Sequence, residues 1–491
     1  MYYISTRNKS ERVSGAQAVV QGIASDGGLY VPEQIPSVTK EELAALKAME
    51  YPERAAFIIG KFLPELSDGL KDWCERAYSR FDGDPAPIVK ADGKYFLELW
   101  HGPTHAFKDM ALTLLPYLMT GSKKILNRTD KTLILVATSG DTGKAALEGF
   151  KDVEGTACAV FYPFGGVSNL QKLQMTTQRG GNVFVSAIKG NFDDAQTAVK
   201  KIFASQGVKD KLAEKGYNLS SANSINWGRL VPQIAYYFSA YVDLADSGEI
   251  EDGEEVVFTV PTGNFGNILA AYYAMKMGLP IKRLVCASNR NNVLTDFFES
   301  GTYDLKREFH KTISPSMDIL ISSNFERLIF ETSGRNDKLT KQRMEKLATE
   351  GKYTVSDVEM KEIARTFAAY SADDEITKET IADFFDESGY VLDPHSAVAF
   401  DATMRFEEET GEERIVTVCT ASPYKFAASV LEAIGETVPR DDGAALTKLE
   451  EETALPLPES LSELPSLKIR FGGCVDKDGI EQAVINSVIR E

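Results

Sequence analysis

Glu98-Leu-Trp-His-Gly-Pro-Thr-His-Ala-Phe-Lys-Asp-Met110 is the stretch from which the organisation of the chain can be worked out. Residues 95–100 are rich in alternating apolar and aromatic side chains and predict a strand, residues 101–104 predict a turn, and helical spacing resumes over residues 108–118. Open α/β proteins bind ligands at the carboxyl ends of their strands, and the positive end of a helix dipole lowers the pKa of a nearby ammonium group. Lys108 is therefore placed where its amine could form a Schiff base, although this stretch alone favours an ordinary surface lysine.

Length and composition indicate a globular protein of several units. The 491 residues exceed one compact core and predict two to four domains, with 43% hydrophobic and 26% charged residues. The net charge of -18 repels phosphodiester backbones and anionic membrane surfaces, and no local basic patch offsets it. We therefore expect neither nucleic-acid nor membrane binding. The chain opens without a charged and apolar leader and has no window of membrane-spanning length, which predicts a cytoplasmic protein.

The cysteines and histidines predict neither a disulfide framework nor a metal site. The five cysteines are widely spaced without a C-x-x-C pair, which favours free thiols in a reducing compartment. Cys158, Cys286 and Cys419 lie in apolar strand-like runs and are expected to be buried. The four histidines lack H-E-x-x-H spacing, so we predict no catalytic metal.

Strand and helix patterns alternate along most of the chain, which predicts βαβ units and parallel sheets. Residues 1–92 form an opening segment with mainly helical patterns. The alternation begins near residue 132, and a second series follows the long helical pattern of residues 227–244. Residues 290 to about 395 are charged and mainly helical, and we interpret them as an insertion in the second α/β unit.

Three further strand ends each lead into a small, polar loop that opens a helix. These loops are Thr138-Ser-Gly-Asp-Thr-Gly143, Thr262-Gly-Asn-Phe-Gly-Asn267 and Thr420-Ala-Ser-Pro-Tyr-Lys425. The first offers backbone N–H groups and hydroxyls to a carboxylate or phosphate. The second allows close backbone approach at Gly263 and Gly266, and its spacing suits a single phosphate better than a dinucleotide or nucleoside triphosphate. The third presents Thr420 and Ser422, neutral hydroxyls that could bind a ring nitrogen, although each loop alone is also an ordinary helix cap.

Pyridoxal phosphate and an amino-acid substrate require a lysine for imine formation, a loop that binds one phosphate, a hydroxyl for the pyridine nitrogen and a loop that binds the substrate carboxylate. The sequence resembles the threonine synthase family of fold type II pyridoxal phosphate enzymes in stretches that span residues 14–426 in family order. The H-G-P-T-x-A-F-K-D run ending at Asp109 is highly specific to this family. It therefore favours a functional role for Lys108 over that of an ordinary surface lysine. The other matching stretches are Ser14-Gly-Ala-Gln-Ala18 with Gly27-Gly-Leu-Tyr-Val-Pro32, Ala137-Thr-Ser-Gly-Asp-Thr-Gly143, Asn223-Ser-Ile-Asn-Trp-Gly-Arg229, Pro261-Thr-Gly-Asn-Phe-Gly-Asn267, Ser314-Pro-Ser-Met-Asp318 with Ser323-Asn-Phe-Glu-Arg327, and Thr420-Ala-Ser-Pro-Tyr-Lys-Phe426.

The resemblance implies two open twisted-sheet α/β domains: a large cofactor-binding domain of residues 93–127 and 226–491, and a small domain of residues 128–225. It implies that Lys108 binds the cofactor and relays protons, and that Thr420 faces the pyridine nitrogen. The residues implied for the cofactor phosphate are Gly263, Asn264, Phe265, Gly266 and Asn267. The residues implied for the substrate carboxylate and its surroundings are Thr104, Thr138, Ser139, Gly140, Asp141 and Thr142. The candidates for the substrate phosphate are Asn223, Ser224, Asn226 and Arg229, of which the last can bind it bidentately.

The implied reaction converts O-phospho-L-homoserine and water to L-threonine and phosphate. A neutral hydroxyl at the ring nitrogen makes the pyridine a weaker electron sink than a carboxylate partner would, which fits a route that relays protons among several carbons. The implied protein is a monomer or a homodimer acting on a small molecule. Many relatives carry His in the last loop, as T-A-H-P-x-K-F, where this chain has Ser422, so any role of that histidine is in doubt here.

Two alternatives stay open on the residues. One is another pyridoxal phosphate lyase, such as a serine/threonine dehydratase or an O-acetylserine-dependent synthase; Asp141 within S-G-D-T-G and the chain length favour threonine synthase over it. The other is a non-catalytic homologue that binds the cofactor or phosphohomoserine as a regulatory protein. Retention of Lys108 together with every loop favours an enzyme.

Overall fold

The computed structural model describes residues 1–138 and 140–488, and its first part is the N-terminal segment. A short antiparallel sheet, in which β1 lies between β2 and β3, packs with helices whose apolar faces join the main core. The prediction that this segment is mainly helical is confirmed. The short sheet was not predicted. Its elements are β1 (Tyr2–Ser5), β2 (Asn8–Ser14), α1 (Gly15–Gln21), β3 (Tyr30–Pro32), α2 (Lys40–Ala45), α3 (Tyr51–Phe62) and α4 (Ser67–Tyr78).

The stretch around Lys108 forms a strand followed by two helices: β4 (Ile88–Ala91), β5 (Lys94–Glu98), α5 (Asp109–Leu112) and α6 (Leu115–Ile125). The helical spacing predicted over residues 108–118 is confirmed, but the structure divides it into two helices with a break at residues 113–114. Pro116 is the reason, because it has no N–H to donate and its ring is accommodated only in the first turn of α6.

The next elements form a parallel sheet covered by helices, as the alternating pattern predicts. They are β6 (Lys131–Ala137), α7 (Asp141–Phe150), β7 (Thr156–Pro163), α8 (Asn169–Thr176), β8 (Val183–Ile188), α9 (Phe192–Ala204), α10 (Gln206–Ala213) and β9 (Tyr217–Ser220). β6 pairs in parallel with β7 and β9, and β7 pairs in parallel with β8.

A long buried helix then leads back to the large sheet through α11 (Trp227–Asp246), β10 (Val256–Pro261), α12 (Gly266–Lys276) and β11 (Ile281–Ser288). Every residue of β10 is buried, as expected for a central parallel strand.

The region of residues 290–395 is mainly helical, as predicted, and it also supplies an edge strand to the large sheet. Its elements are α13 (Val293–Ser300), β12 (Thr302–Asp304), α14 (Phe325–Thr332), α15 (Asp337–Glu350), β13 (Lys352–Thr354), α16 (Asp357–Thr366), β14 (Phe367–Ser371) and α17 (Asp374–Ser388). Because β14 pairs in parallel with β11, this region is partly integral to the sheet.

The C-terminal part returns to both sheets through α18 (Pro394–Thr410), β15 (Ile415–Cys419), α19 (Ala427–Ala433), α20 (Asp442–Thr453), α21 (Glu459–Ser462), β16 (Cys474–Val475) and α22 (Ile480–Ser487). The large sheet has the order β14-β11-β10-β15-β5-β4, and the small sheet has the order β16-β8-β7-β6-β9. Residues 474–488 therefore lie with the small sheet, whereas the implied boundary placed them in the large domain. A two-residue strand has too short a pattern to be assigned from sequence.

Parallel pairing brings the loops of interest to one edge of the large sheet. β15 lies between β5 and β10 and runs parallel to both. The loops that follow these three strands contain Lys108, residues 262–267 and residues 420–425. Cys158, Cys286 and Cys419 are buried free thiols, as predicted. Within the described residues, no helix combines the length and apolar character needed to cross a membrane.

Candidate active site

Lys108 lies in a tight turn between β5 and α5, and 12% of its side chain is exposed. Its amine donates to the hydroxyl of Ser316 (3.3 Å) and lies 3.7 Å from a carboxylate oxygen of Asp141. Burial lowers the pKa of Lys108, the Asp141 charge acts in the opposite direction, and Lys425 and Arg229 lower the pKa further. Since α5 has only four residues, burial replaces the helix dipole as the main cause. An amine that loses its proton readily can attack an aldehyde.

The loop after β15 is bound directly to the Lys108 turn. The Phe107 N–H donates to the carbonyl oxygen of Thr420 (2.9 Å), and the Ser422 N–H donates to that of His105 (3.0 Å). Thr420 is 6% exposed, and its hydroxyl has no hydrogen-bond partner among the described residues. The Ser422 hydroxyl instead accepts from the Tyr424 N–H as a helix cap. Of the two hydroxyls predicted for a ring nitrogen, the structure leaves that of Thr420 available.

The loop of residues 262–267 opens α12, with Phe265 in the left-handed region at φ 59°. A Cβ added at Gly263 would lie 2.8 Å from the carbonyl oxygen of Ser316, so the backbone approaches closely there. The Asn267 side-chain oxygen accepts from Tyr236 (2.5 Å) and Tyr237 (2.6 Å), while its buried Nδ2 has no partner among the described residues. An orphaned buried donor at a helix N-terminus is suited to an anion.

A short 3-10 turn, Pro315–Met317, connects Lys108 with this loop. The Ser316 hydroxyl accepts from Lys108, and its carbonyl oxygen lies against Gly263. The Ser316 N–H donates to Nε2 of His395 (3.2 Å), whose Nδ1 lies 2.6 Å from Asp393. Because Nε2 accepts, Nδ1 carries the proton and donates to Asp393. Ser316 and His395 were missed by sequence reasoning. Ser316 stood out only as part of the motif Ser314-Pro-Ser-Met-Asp318, and His395 only as one of the four histidines.

The loop after β6 belongs to the small sheet and reaches the same place. The buried Thr138 hydroxyl accepts from the N–H groups of Gly140 (3.0 Å) and Gly143 (3.2 Å), so it closes the loop. Ser139 lies outside the described residues. The Asp141 side chain is directed at lysines and carries a charge that repels a substrate carboxylate. Backbone N–H groups and the half-buried Thr142 remain the candidates for that carboxylate.

Arg229 is buried, and no described residue forms an ion pair with it. One Nη donates to the carbonyl oxygen of Ala222 (2.6 Å), and Nε has no partner among the described residues. Burial lowers the pKa of Arg229 to about 10, with no described carboxylate acting on it. A guanidinium group in this state is a strong candidate for binding an anion.

The other predicted substrate-binding residues differ from Arg229 in burial and in their hydrogen bonds. The Asn226 side chain accepts from the Gly228 N–H (2.8 Å) and donates to the Val19 carbonyl oxygen (3.0 Å), so it is occupied as the cap of α11. Asn223 is exposed and Ser224 is half-buried. Fully buried Thr104 donates through N–H and Oγ1 to Asp109, both at 2.7 Å, and is likewise occupied.

Arg327 connects the loop before α11 with the loop before α12, and sequence reasoning gave it no role. Fully buried, it donates to the carbonyl oxygen of Ile225 (2.6 Å) and to the side-chain oxygen of Asn324 (2.5 Å). Asn324 in turn donates through its N–H and side-chain amide to the carbonyl oxygen of Asn264, both at 3.1 Å. Arg327 thereby fixes the relative positions of the two loops.

Comparison with known proteins decides the family. The chain matches "Threonine synthase N terminus" over residues 2–78, "Pyridoxal-phosphate dependent enzyme" over residues 83–421 and "Threonine synthase, C-terminal" over residues 396–484. A threonine synthase of Pseudomonas aeruginosa is 40% identical over 477 residues, which cover 96% of this chain and 99% of that protein. The chain belongs to the threonine synthase family of pyridoxal-phosphate-dependent enzymes.

Solved structures of threonine synthases have the same fold. The pyridoxal phosphate-bound enzyme of Brucella melitensis superposes with a TM-score of 0.88 at 36% identity, covering 99% of both chains. The yeast enzyme superposes with a TM-score of 0.90 at 33% identity, covering 100% of this chain and 99% of that one. The predicted fold class, family and cofactor are confirmed.

The residues present fit pyridoxal phosphate. The N-terminus of α12 offers a backbone cradle with an orphaned amide donor on Asn267. The turn that carries the buried Lys108 amine is hydrogen-bonded to the loop that carries the neutral Thr420 hydroxyl. The individual roles of these residues remain predictions.

Gly263→Ala is expected to weaken pyridoxal phosphate binding about tenfold, because the new methyl group clashes with the Ser316 backbone and displaces the turn beside Lys108. Fluorescence titration of the cofactor-free protein measures the affinity. Gly207→Ala is the matched control, since Gly207 lies in α10 with nothing within 4 Å of an added Cβ. Equal affinities for both variants and the unmodified protein would contradict this placement of the phosphate.

Proposed function

We propose that this enzyme converts O-phospho-L-homoserine and water to L-threonine and inorganic phosphate, and that it serves threonine biosynthesis in the cytoplasm. The observation that carries the proposal is the buried guanidinium of Arg229, whose Nε has no partner among the described residues and whose charge acts on the Lys108 amine. A lysine for the cofactor is shared by many pyridoxal phosphate enzymes. A second anion site beside it fits a substrate that carries its own phosphate.

Each group then has a defined task. Bound pyridoxal phosphate supplies the electron sink that allows protons to leave and return near the substrate amino group. The Lys108 amine moves protons among the α, β and γ carbons as phosphate leaves the γ carbon and water adds at the β carbon. Arg229 binds the phosphate before and after it leaves. The uncharged Thr420 hydroxyl leaves the pyridine nitrogen unprotonated.

The remaining loops are proposed to bind the cofactor phosphate, the substrate carboxylate and the substrate phosphate. The proposed ligands of the cofactor phosphate are the backbone of residues 263–267 and the amide of Asn267. The backbone N–H groups of Asp141 and Thr142, with the Thr142 hydroxyl, are proposed for the substrate carboxylate, because the Gly140 N–H is occupied by Thr138. Asn223 and Ser224 supplement Arg229 at the substrate phosphate, and Asn226 and Thr104 support these loops through the hydrogen bonds described above.

We also propose the binding partners, the oligomeric state and the cellular compartment of this enzyme. A net charge of -18 supports a protein that binds a small molecule and no nucleic acid. Four buried free cysteines support a reducing cytoplasm. We propose a monomer or a homodimer, because the loops that converge on Lys108 all come from one chain.

Product analysis tests the proposed reaction. The purified protein with pyridoxal phosphate is supplied with O-phosphohomoserine, and phosphate and threonine are followed together. Release of both in equal amounts is expected, and L-homoserine, which lacks the phosphate, should give no threonine. Phosphate without threonine would instead support another pyridoxal phosphate lyase. Absence of both products would support a non-catalytic homologue.

A further inference from the structure

Asp141 lies between two buried lysines. One carboxylate oxygen is 3.7 Å from the Lys108 amine, and the other is 3.0 Å from the amine of Lys425. The side chains of Asp141 and Lys425 are 5% and 2% exposed. A carboxylate at this depth interacts strongly with both cations because little water screens the charges.

Lys425 is fixed in place on the large-domain side of this ion pair. Its amine donates to the carbonyl oxygen of Thr104 (2.9 Å), and Thr104 is itself bound to Asp109. Lys425 lies in the 3-10 turn Pro423–Phe426 after β15, whereas Asp141 begins α7 of the small sheet. The ion pair therefore crosses between the two sheets and sets where the Asp141 carboxylate lies.

We propose that Lys425 is a positioning residue that binds Asp141 and thereby prevents this carboxylate from pairing fully with the Lys108 amine. Without Lys425, Lys108 is the only described cation within ion-pair distance of Asp141, and the amine would keep its proton. With Lys425, the carboxylate is shared, and the Lys108 amine is available in its neutral, nucleophilic form. The inference rests on the proposed role of Lys108 as the cofactor lysine.

The charges around Lys108 agree with this arrangement. Besides burial, the groups that act on the pKa of Lys108 are Asp141 and Asp109, which raise it, and Lys425 and Arg229, which lower it. Burial alone would raise the pKa of Asp141, but Lys425 and then Lys108 hold it well below its ordinary value. Asp141 is therefore ionised throughout the neutral range, so its position decides how strongly it stabilises the Lys108 ammonium.

The test is the pH dependence of covalent cofactor attachment to the full chain stripped of pyridoxal phosphate. In this reaction the Lys108 nitrogen bonds to the aldehyde carbon and water is released, and only the neutral amine reacts. Lys425→Met should move the midpoint of the rate profile to higher pH, so that attachment below the midpoint slows about tenfold. Asp141→Asn should move the midpoint to lower pH, and the double variant should lie between the two.

Opposite shifts of this kind cannot come from damage to the fold, which would slow attachment at every pH without moving the midpoint. Lys425→Arg keeps the cation and should restore most of the unmodified profile. Lys378→Met, which removes the lysine of an exposed pair with Glu432, is the matched control and should change nothing. An unmoved midpoint in both Lys425→Met and Asp141→Asn would overturn the proposal. Attachment that persists in Lys108→Ala would instead refute the proposed role of Lys108.

Discussion

Replacing Lys108 by alanine is expected to abolish threonine formation from O-phosphohomoserine, with a loss in kcat of at least about 10⁴-fold. The substitution removes both the nucleophile for the cofactor and the base that moves protons between the substrate carbons. We expect no replacement by Lys425, the cation that acts most strongly on Lys108, because its amine is occupied by Asp141 and by the Thr104 carbonyl oxygen.

Three measurements separate lost chemistry from lost structure in this variant. Phosphate release gives the activity, thermal unfolding gives the stability, and equilibrium dialysis gives the cofactor affinity. The fold should persist, since the Lys108 amine makes long contacts: a 3.3 Å hydrogen bond, a 3.7 Å ion contact and a cation–π contact 5.4 Å from the centre of the Phe107 ring. Lys71→Ala, at a side chain that is 66% exposed, is the matched control and should keep full activity. A Lys108→Ala enzyme within tenfold of the unmodified rate would contradict the assignment.

Arg229→Met is expected to lower kcat/KM for O-phosphohomoserine by about 10² to 10³-fold, because a buried charged hydrogen-bond partner of the phosphate is lost. The free energy of unfolding should stay within about 1 kcal/mol or rise. The variant loses one hydrogen bond to Ala222 but no longer buries an unpaired cation. Inhibition by inorganic phosphate should weaken in parallel with the loss in kcat/KM.

Arg343 provides the control for this combination of effects. Its two Nη atoms donate to both carboxylate oxygens of Glu359 at 2.6 and 2.7 Å, and the two side chains are 7% and 8% exposed. Arg343→Met leaves Glu359 buried without its partner and should cost about 3 kcal/mol in the free energy of unfolding. Its kcat/KM at a temperature where it stays folded should be unchanged. Marked destabilisation of Arg229→Met with unchanged kcat/KM would show that Arg229 is structural.

The strands and loops that are encoded by short stretches of neighbouring residues could be predicted from the sequence. Strand-length apolar runs followed by small polar loops located the Lys108 turn and the loops at residues 138–143, 262–267 and 420–425. The parallel pairing of β5, β15 and β10 explains why three of these loops meet, since parallel strands bring their carboxyl ends to one edge. The helical pattern after Lys108 was predicted correctly, but the break at residues 113–114, which precedes Pro116 in the first turn of α6, was not.

The remaining features depend on contacts between residues far apart in the chain. Ser316 and His395 meet across 79 positions, and Lys425 reaches the Thr104 carbonyl oxygen across 321. No periodicity encodes such pairs. The direction of the Asp141 side chain was also beyond prediction, because the spacing of its loop fixes the backbone and leaves open which partner the carboxylate meets.

We propose that one pyridoxal phosphate molecule binds to Lys108, to the loop of residues 263–267 and to Thr420. A crystal structure of the enzyme grown with pyridoxal phosphate tests this arrangement. We predict continuous electron density from Nζ of Lys108 into the cofactor, with the phosphate on the backbone N–H groups before α12 and the ring nitrogen at the Thr420 hydroxyl. Cofactor density joined to another lysine, or a phosphate bound away from Gly263 and Asn267, would contradict the claim.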